Sequence, residues 1–261
     1  MSQPPDRPAA SAIVDALRRA GCVFAEDEAA LLLGAATSDA DLAAKVAQRV
    51  AGLPLEQVVG WAEFCGLRVA VEPGVFVPRW RSQLLVAQAV GVTRARAVVV
   101  DLCCGTGALG VAVAAAVPDI ELYASDIDPA AVRCARRNVE PFGRVFLGDL
   151  FAALPSALRG RIDVLLVNTP YVPTQEIPLL PPEARLYEPA VALDGGADGL
   201  DVQRRVAAEA AAWLAPGGHL LVEVSERQAS ISAGIFSLAG LKVVVAQDEQ
   251  LGATVVVARS G

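Results

Sequence analysis

From about residue 95 onward, short β-branched apolar runs alternate with helical stretches, and no other feature restricts this chain so much. Parallel strands joined by helices share one sheet only when the helices cover its faces, so the alternation calls for an α/β fold. Residues 97–103 form the first run, followed by a glycine loop and a helix over 108–116. A strand at 121–125 leads to Asp128-Pro129, a good N-cap with proline at the first helical position, and then a helix over 130–138. Further strands are expected at 145–148, 164–167 and 219–224, with a helix over 201–214 that stops at Pro216-Gly217-Gly218. The last two runs, 241–245 and 254–258, are a turn apart and are expected to pair antiparallel.

Ahead of residue 70 the period is different. Residues 11–20, 26–34 and 38–51 carry apolar side chains at three and four spacing (Ile13, Leu17; Leu31, Leu32; Leu42, Val46, Val50), which predicts a small helical cap. Residues 63–71 read as a hairpin about Gly66, and Glu72-Pro73-Gly74 as a turn. The expected division is a helical cap with connecting hairpin, 1–73, and an α/β domain, 74–261.

Composition removes several classes of function. With 54% hydrophobic and 20% charged residues the chain is not of the disordered type. The longest apolar stretch, 108–117, stops at Pro118 after ten residues, whereas a membrane helix needs about 18. Residues 1–12 lack the basic start and apolar core of a secretory leader, so a cytoplasmic place and no membrane partner are expected. Five cysteines, an odd number without CxxC spacing, read as reduced core thiols and provide no metal set. Twenty-two Lys and Arg against 29 Asp and Glu leave a net charge of −7, which opposes nucleic-acid binding. The single histidine, His219, starts a strand without partners, so no histidine-assisted nucleophile can be assembled around it.

Gly105-Thr106-Gly107-Ala108-Leu109-Gly110 joins a strand to a helix, where small residues let the backbone approach a ligand at the helix N-terminus. Two ligand classes fit these letters. A nicotinamide or flavin dinucleotide would use the loop for its pyrophosphate and Asp126, 21 residues beyond Gly105, for its ribose. S-adenosyl-L-methionine is cationic at sulfur and zwitterionic at its amino acid, and Asp101 just ahead of the loop favours it. Asp126, at its strand end, can accept both ribose hydroxyl protons, and Asp149 with Leu150 and Phe151 at the next strand end can bracket an adenine ring. Ordinary turn and cap roles are open to Asp126 and Asp149 as well.

Asn168-Thr169-Pro170-Tyr171 leaves the apolar run 163–167. An amide nitrogen is a poor nucleophile because its lone pair is delocalised into the carbonyl. Acceptors for both of its N–H protons, here the Asn168 side-chain oxygen and the Thr169 carbonyl, would aim the lone pair at an electrophilic methyl. Pro170 holds Thr169 extended, and Tyr171 can stack on a planar group. Exocyclic amines of nucleobases pose the same chemical problem, so they stand as the alternative substrate beside small molecules.

Taken together, Val77-Pro78-Arg79, DLCCGTGALG from Asp101, SDIDP from Ser125, GDLF from Gly148, NTPY from Asn168 and YEPAVALDGGADGL from Tyr187 resemble the protein-(glutamine-N5) methyltransferases of the HemK/PrmC type. The resemblance runs from about Pro54 to Gln228. It implies a seven-stranded Rossmann-like class I methyltransferase domain behind a small N-terminal helical domain, with S-adenosyl-L-methionine as methyl donor and a protein presenting a glutamine as substrate. It also implies a cofactor site of Asp101, Cys103, Gly105, Thr106, Gly107, Asp126, Ile127, Asp149, Leu150 and Asn168. The catalytic residues would be Asn168, Thr169, Pro170 and Tyr171, and the substrate contacts Arg79, Asn168, Tyr171 and Glu188. The chain departs from the family pattern twice: Thr169 stands for the first proline of Asn-Pro-Pro-Tyr, and Arg79-Trp80-Arg81-Ser82-Gln83 for Arg-Pro-Glu-Thr-Glu. Both departures point to a divergent branch that acts on a protein other than a release factor.

The remaining conspicuous residues read as structural. Trp213 continues an apolar helix face, Trp61 and Trp80 are expected in the core, and Arg136-Arg137 and Arg204-Arg205 on solvated helix faces.

Overall fold

The computed structural model describes residues 10–261. The leader reading rests on residues 1–12, of which 1–9 lie outside the described residues. Four helices come first: α1 (Ala10–Arg19), α2 (Ala25–Ala35), α3 (Asp39–Val50) and the short α4 (Leu55–Val59). Ser38 caps α3, its side chain accepting from the Asp41 N–H. Ile13, Leu17, Leu32, Leu42 and Val58 close a small core between these helices with Val46 packed against it, whereas Leu31 and Val50, expected on the same apolar faces, are 38% and 42% exposed. The hairpin β1 (Trp61–Phe64) and β2 (Leu67–Ala70) turns at Gly66, which has φ +74.

A seven-stranded sheet follows, built from β3 (Val98–Leu102), β4 (Glu121–Asp126), β5 (Gly143–Leu147), β6 (Ile162–Val167), β7 (Leu214–Val224), β8 (Lys242–Asp248) and β9 (Ala253–Arg259). Its order is β5-β4-β3-β6-β7-β9-β8. The first five strands are parallel, and β9 runs antiparallel to both β7 and β8. Helices α5 (Gln83–Val92), α6 (Ala108–Ala116), α7 (Pro129–Val139), α10 (Asp201–Trp213) and α11 (Ala229–Leu238) cover the faces. One core packs Leu85, Val113 and Val139 against Val99, Leu166 and Leu221. The other packs Trp213, Phe236 and Phe151 against Val100, Leu165 and Val222. Burial on both sides is why the central strands are apolar throughout rather than alternating.

The chain enters the sheet at β3, builds outward to β5, then crosses back to β6 on the other side of β3. A crevice opens at such a reversal, beyond the carboxyl ends of β3, β4 and β6. Among the described residues no helix is long and apolar enough to cross a membrane.

Two expectations need correction. The helix expected over 201–214 is present as Asp201–Trp213, but Pro216-Gly217-Gly218 lies inside β7, which begins at Leu214 and shifts register against β6 between Ile162 and Val164. Early pairing of Leu214 with Ile162 captures the backbone before the glycines, so they form an irregularity in the strand instead of a loop. Trp80, expected in the core, is 68% exposed. Helix α5 carries no helical signature because nearly all of it is apolar; Leu84, Leu85, Val86 and Ala89 are all buried.

Candidate active site

The crevice holds a cavity of about 350 Å³, within the range of small-molecule sites. Its floor is the glycine loop. Gly105 and Gly107 have φ +55 and +77, and a Cβ on Gly107 would come within 2.5 Å of Val139 Cγ2, so only glycine lets the loop lie against α7. Gly105 N donates to Asp126 Oδ2 at 2.9 Å, and Asp128 N to Asp126 Oδ1 at 2.9 Å, which anchors the acid at the end of β4. Burial pushes the Asp126 carboxyl up, against the downward pull of these N–H donors. Asn138, passed over in the sequence, clamps the loop from outside: its Nδ2 donates to Thr106 O at 2.9 Å and to Ala70 O at 3.0 Å.

Cys103, Gly105, Thr106, Asp126 and Ile127 line the cavity, and so do Asn168, Thr169, Pro170, Tyr171 and Arg79. Asp101, Gly107, Asp149, Leu150 and Glu188 do not. Asp101 is fully buried behind the loop, where Gly110 N donates to its Oδ2 at 2.9 Å and Oδ1 has no partner among the described residues. Burial pushes its carboxyl up to about 8, against the downward pull of the Gly110 N–H. Asp149 is the residue before a 3-10 turn, Leu150–Ala153, and pairs with Arg205 at 2.6 Å. Arg204 pairs with Asp198 and Asp201, and both arginines of this pair lie on the exposed helix face that the sequence predicts. Glu188, 6% exposed, accepts from Val77 N at 3.2 Å and from Arg79 Nη2 at 2.5 Å, and thereby holds the segment that carries Arg79.

The tetrad stands opposite the loop. The Asn168 side chain makes no hydrogen bond to any described residue, although it lies in the cavity wall. Thr169 is 2% exposed and its hydroxyl has no partner among the described residues. Tyr171 is bound at both ends: Gln228 Nε2 donates to its carbonyl at 2.9 Å, and its hydroxyl donates to Glu223 Oε1 at 3.1 Å. The YEPAVALDGGADGL stretch wraps the tetrad's exit. Val172 N donates to Leu193 O and Gly195 N to Val172 O, while Thr174 Oγ1 donates to Asp194 Oδ1 at 2.7 Å. Gly199, φ +79, passes so near that a Cβ would lie 2.2 Å from Tyr171 O.

Sequence reasoning names Arg81 only within the departure from Arg-Pro-Glu-Thr-Glu, without a partner, and gives no role to Glu223 or Gln228. Arg81 lines the cavity and donates to the Tyr171 hydroxyl from Nε at 3.1 Å and from Nη2. Its partners are 90 and 142 positions away, a separation that leaves no local signal. The five cysteines are all free; Cys22, Cys104 and Cys134 are buried, and Cys65 and Cys103 partly so.

Residues 66–179 match the family model of the methyltransferase small domain. A release factor glutamine methyltransferase of Geobacter sulfurreducens is 39% identical over 198 residues, which span 75% of this chain and 69% of that protein. Another, of Streptomyces coelicolor, is 40% identical over 209 residues, spanning 76% and 74%. A methyltransferase structure from Pyrococcus furiosus matches with a TM-score of 0.57 at 18% identity over 75% of this chain and 90% of that one, a likeness of fold alone.

Proposed function

The chain belongs to the release factor glutamine methyltransferase family, and on that premise we propose that its cavity binds S-adenosyl-L-methionine and directs methyl transfer to the side-chain nitrogen of a glutamine in a protein substrate. The residues present fit that donor. Asp126 and Asp128 line the glycine-loop end of the cavity, where two carboxylates suit a ligand of positive charge better than an anionic pyrophosphate. Asp126 keeps unused acceptor capacity beside its two backbone bonds, enough for ribose hydroxyls, and the half-exposed Ile127 offers an apolar face next to it. Cys103, Gly105 and Thr106 complete that end. When bound, the donor supplies a methyl group on a sulfonium.

The observation that carries the substrate class is the unpaired amide of Asn168 in the cavity wall. In our reading its Oδ1 accepts one N–H of the target glutamine and the Thr169 carbonyl accepts the other, which turns the nitrogen lone pair toward the methyl and weakens its delocalisation. Pro170 keeps the Thr169 carbonyl extended, and the Tyr171 ring packs on the planar amide. Arg79, held by Glu188, stands at the substrate end. We assign residues 1–73 to docking of the protein substrate and 74–261 to the transfer itself.

The test is incubation with methyl-labelled S-adenosyl-L-methionine and either a purified peptide-chain release factor or a cell extract, followed by complete digestion. Label in N5-methylglutamine is expected; label on a protein other than the release factor would mark a divergent branch. Label that nuclease alone removes would overturn the reading, as would calorimetric binding of NADH without binding of S-adenosylhomocysteine.

A further inference from the structure

Arg81 and Tyr171 line the cavity, and the buried Glu223 meets them from a third part of the chain. Arg81 gives the Tyr171 oxygen two donors, Nε at 3.1 Å and Nη2. The tyrosine's one hydroxyl hydrogen goes to Glu223 Oε1 at 3.1 Å, an oxygen that Arg81 Nε also reaches at 3.2 Å. The Glu223 side chain is 1% exposed and its Oε2 has no partner among the described residues, while 41% of the Arg81 side chain is exposed. A carboxylate this deep is tolerated when a cation compensates it, and Arg81 is the cation placed against it.

The arrangement settles what Tyr171 can offer. A hydroxyl has one proton to give, and here that proton is engaged by Glu223, while the oxygen is covered by the guanidinium. The phenol is therefore neither a hydrogen-bond donor to a ligand nor a proton carrier; burial, then Glu223, pushes its titration up to about 12. With the carbonyl also held by Gln228, the ring is the part of this cavity-lining residue without a hydrogen bond, and the Arg81 guanidinium carbon lies 5.8 Å from its centroid.

We propose that Arg81 is a positioning residue of the methyl transfer: it neutralises Glu223 and, with it, clamps the Tyr171 hydroxyl so that the tyrosine serves the substrate through its ring face alone. The proposal rests on the methyltransferase reading, so its test has one arm that needs turnover and one that does not.

In the turnover arm, Tyr171→Phe keeps the ring and stays within about tenfold of wild-type kcat, whereas Tyr171→Leu loses on the order of 100-fold or more. Arg81→Met lowers kcat by about 10–100-fold with S-adenosylhomocysteine affinity within about twofold of wild type. Arg81→Lys falls between, since a point charge keeps the compensation without the two-nitrogen grip. Adding Glu223→Gln to Arg81→Met removes the stranded charge and returns much of the lost kcat, a rescue that general damage to the fold would not show. Tyr171→Phe as slow as Tyr171→Leu, or wild-type kcat in folded Arg81→Met, overturns the proposal. The second arm follows the Cζ signals of the three tyrosines by ¹³C NMR, with Tyr171 assigned through Tyr171→Phe. Arg81→Met should move the Tyr171 signal and leave Tyr123 and Tyr187 in place; an unmoved Tyr171 signal refutes the clamp. If the wild-type protein methylates no glutamine, the proposed function fails, and the NMR result still decides whether the clamp exists.

Discussion

Asn168 and Asp101 stand near the carboxyl ends of adjacent strands, and the fold treats them in opposite ways. Asn168 leaves its amide unpaired in the cavity, so Asn168→Ala should keep S-adenosylhomocysteine affinity near wild type and slow glutamine methylation by about 10²–10³, the usual cost of one preorganised polar contact. Calorimetry and a rate assay on one preparation check both halves, and wild-type turnover would remove Asn168 from the mechanism. Asp101 is sealed in, and burial raises its carboxyl from 3.8 to about 8. A folded-state value above the unfolded one favours the protonated protein, so this contribution to stability is complete below about pH 4 and is lost as pH climbs through 8. Asp101→Asn, permanently neutral and still able to accept from Gly110 N, should flatten the fall in melting temperature between pH 5 and pH 8. Parallel melts of the two proteins that decline equally would contradict the assignment. The residues legible in the sequence, Gly105, Asp126, Asn168 and Tyr171, are those whose role follows from a strand end or a glycine turn. Arg81 and Glu223 carry no such local mark.

At the scale of elements, the segment from Val172 to Gly199 is a brace for the tetrad. It bonds back to Val172 and Thr174 and presses Gly199 against the Tyr171 carbonyl. A methyl at residue 199 meets backbone, which cannot swing aside, and the positive φ adds strain. Gly199→Ala should cost about 1–3 kcal/mol in denaturant unfolding and lower methyl transfer well before the protein unfolds, because the displaced atom belongs to the tetrad. Equal stability to wild type would show that the brace is looser than its geometry. The short helices α8 (Pro182–Tyr187) and α9 (Ala190–Leu193) within this segment escaped the sequence reading because neither completes two turns, leaving no period to detect. Pro216-Gly217-Gly218 departs from the expected loop for a related reason: a proline and two glycines signal a turn locally, yet pairing with Ile162 starts β7 two residues before the proline.

Over the whole molecule, the N-terminal helices are tied to the wall of the cavity. Arg49, 8% exposed, donates to Glu28 at 2.6 Å, to Leu53 O at 2.9 Å and to Glu183 of α8 at 2.5 Å, and the Tyr187 hydroxyl donates to Ala51 O at 2.7 Å. Glu183 also lines the cavity. Arg49→Met strands the nearly buried Glu28 and should destabilise the protein by about 3–5 kcal/mol, with Glu28→Gln in the same chain recovering a large part. Glu183→Gln, at a half-exposed site, should leave the melting temperature almost unchanged while raising KM for the protein substrate. A large stability loss in Glu183→Gln would mean that the tie is structural only.

The amino-acid order alone determined the layered α/β architecture, because strand and helix periods are properties of neighbouring residues and a sheet buried on both faces must be apolar throughout. It also determined the glycine loop and the tetrad as strand-end features, since only a few residue types permit those backbone paths. Tertiary structure decided which acids face the cavity. Asp126 does, while Asp101 is buried behind the loop and Asp149 is drawn aside by Arg205. It likewise decided that Tyr171 is held by Arg81 and Glu223. Side-chain direction and charge pairing depend on what the rest of the chain packs alongside, and contacts between residues 52 to 142 positions apart exist only once the sheet has brought them together.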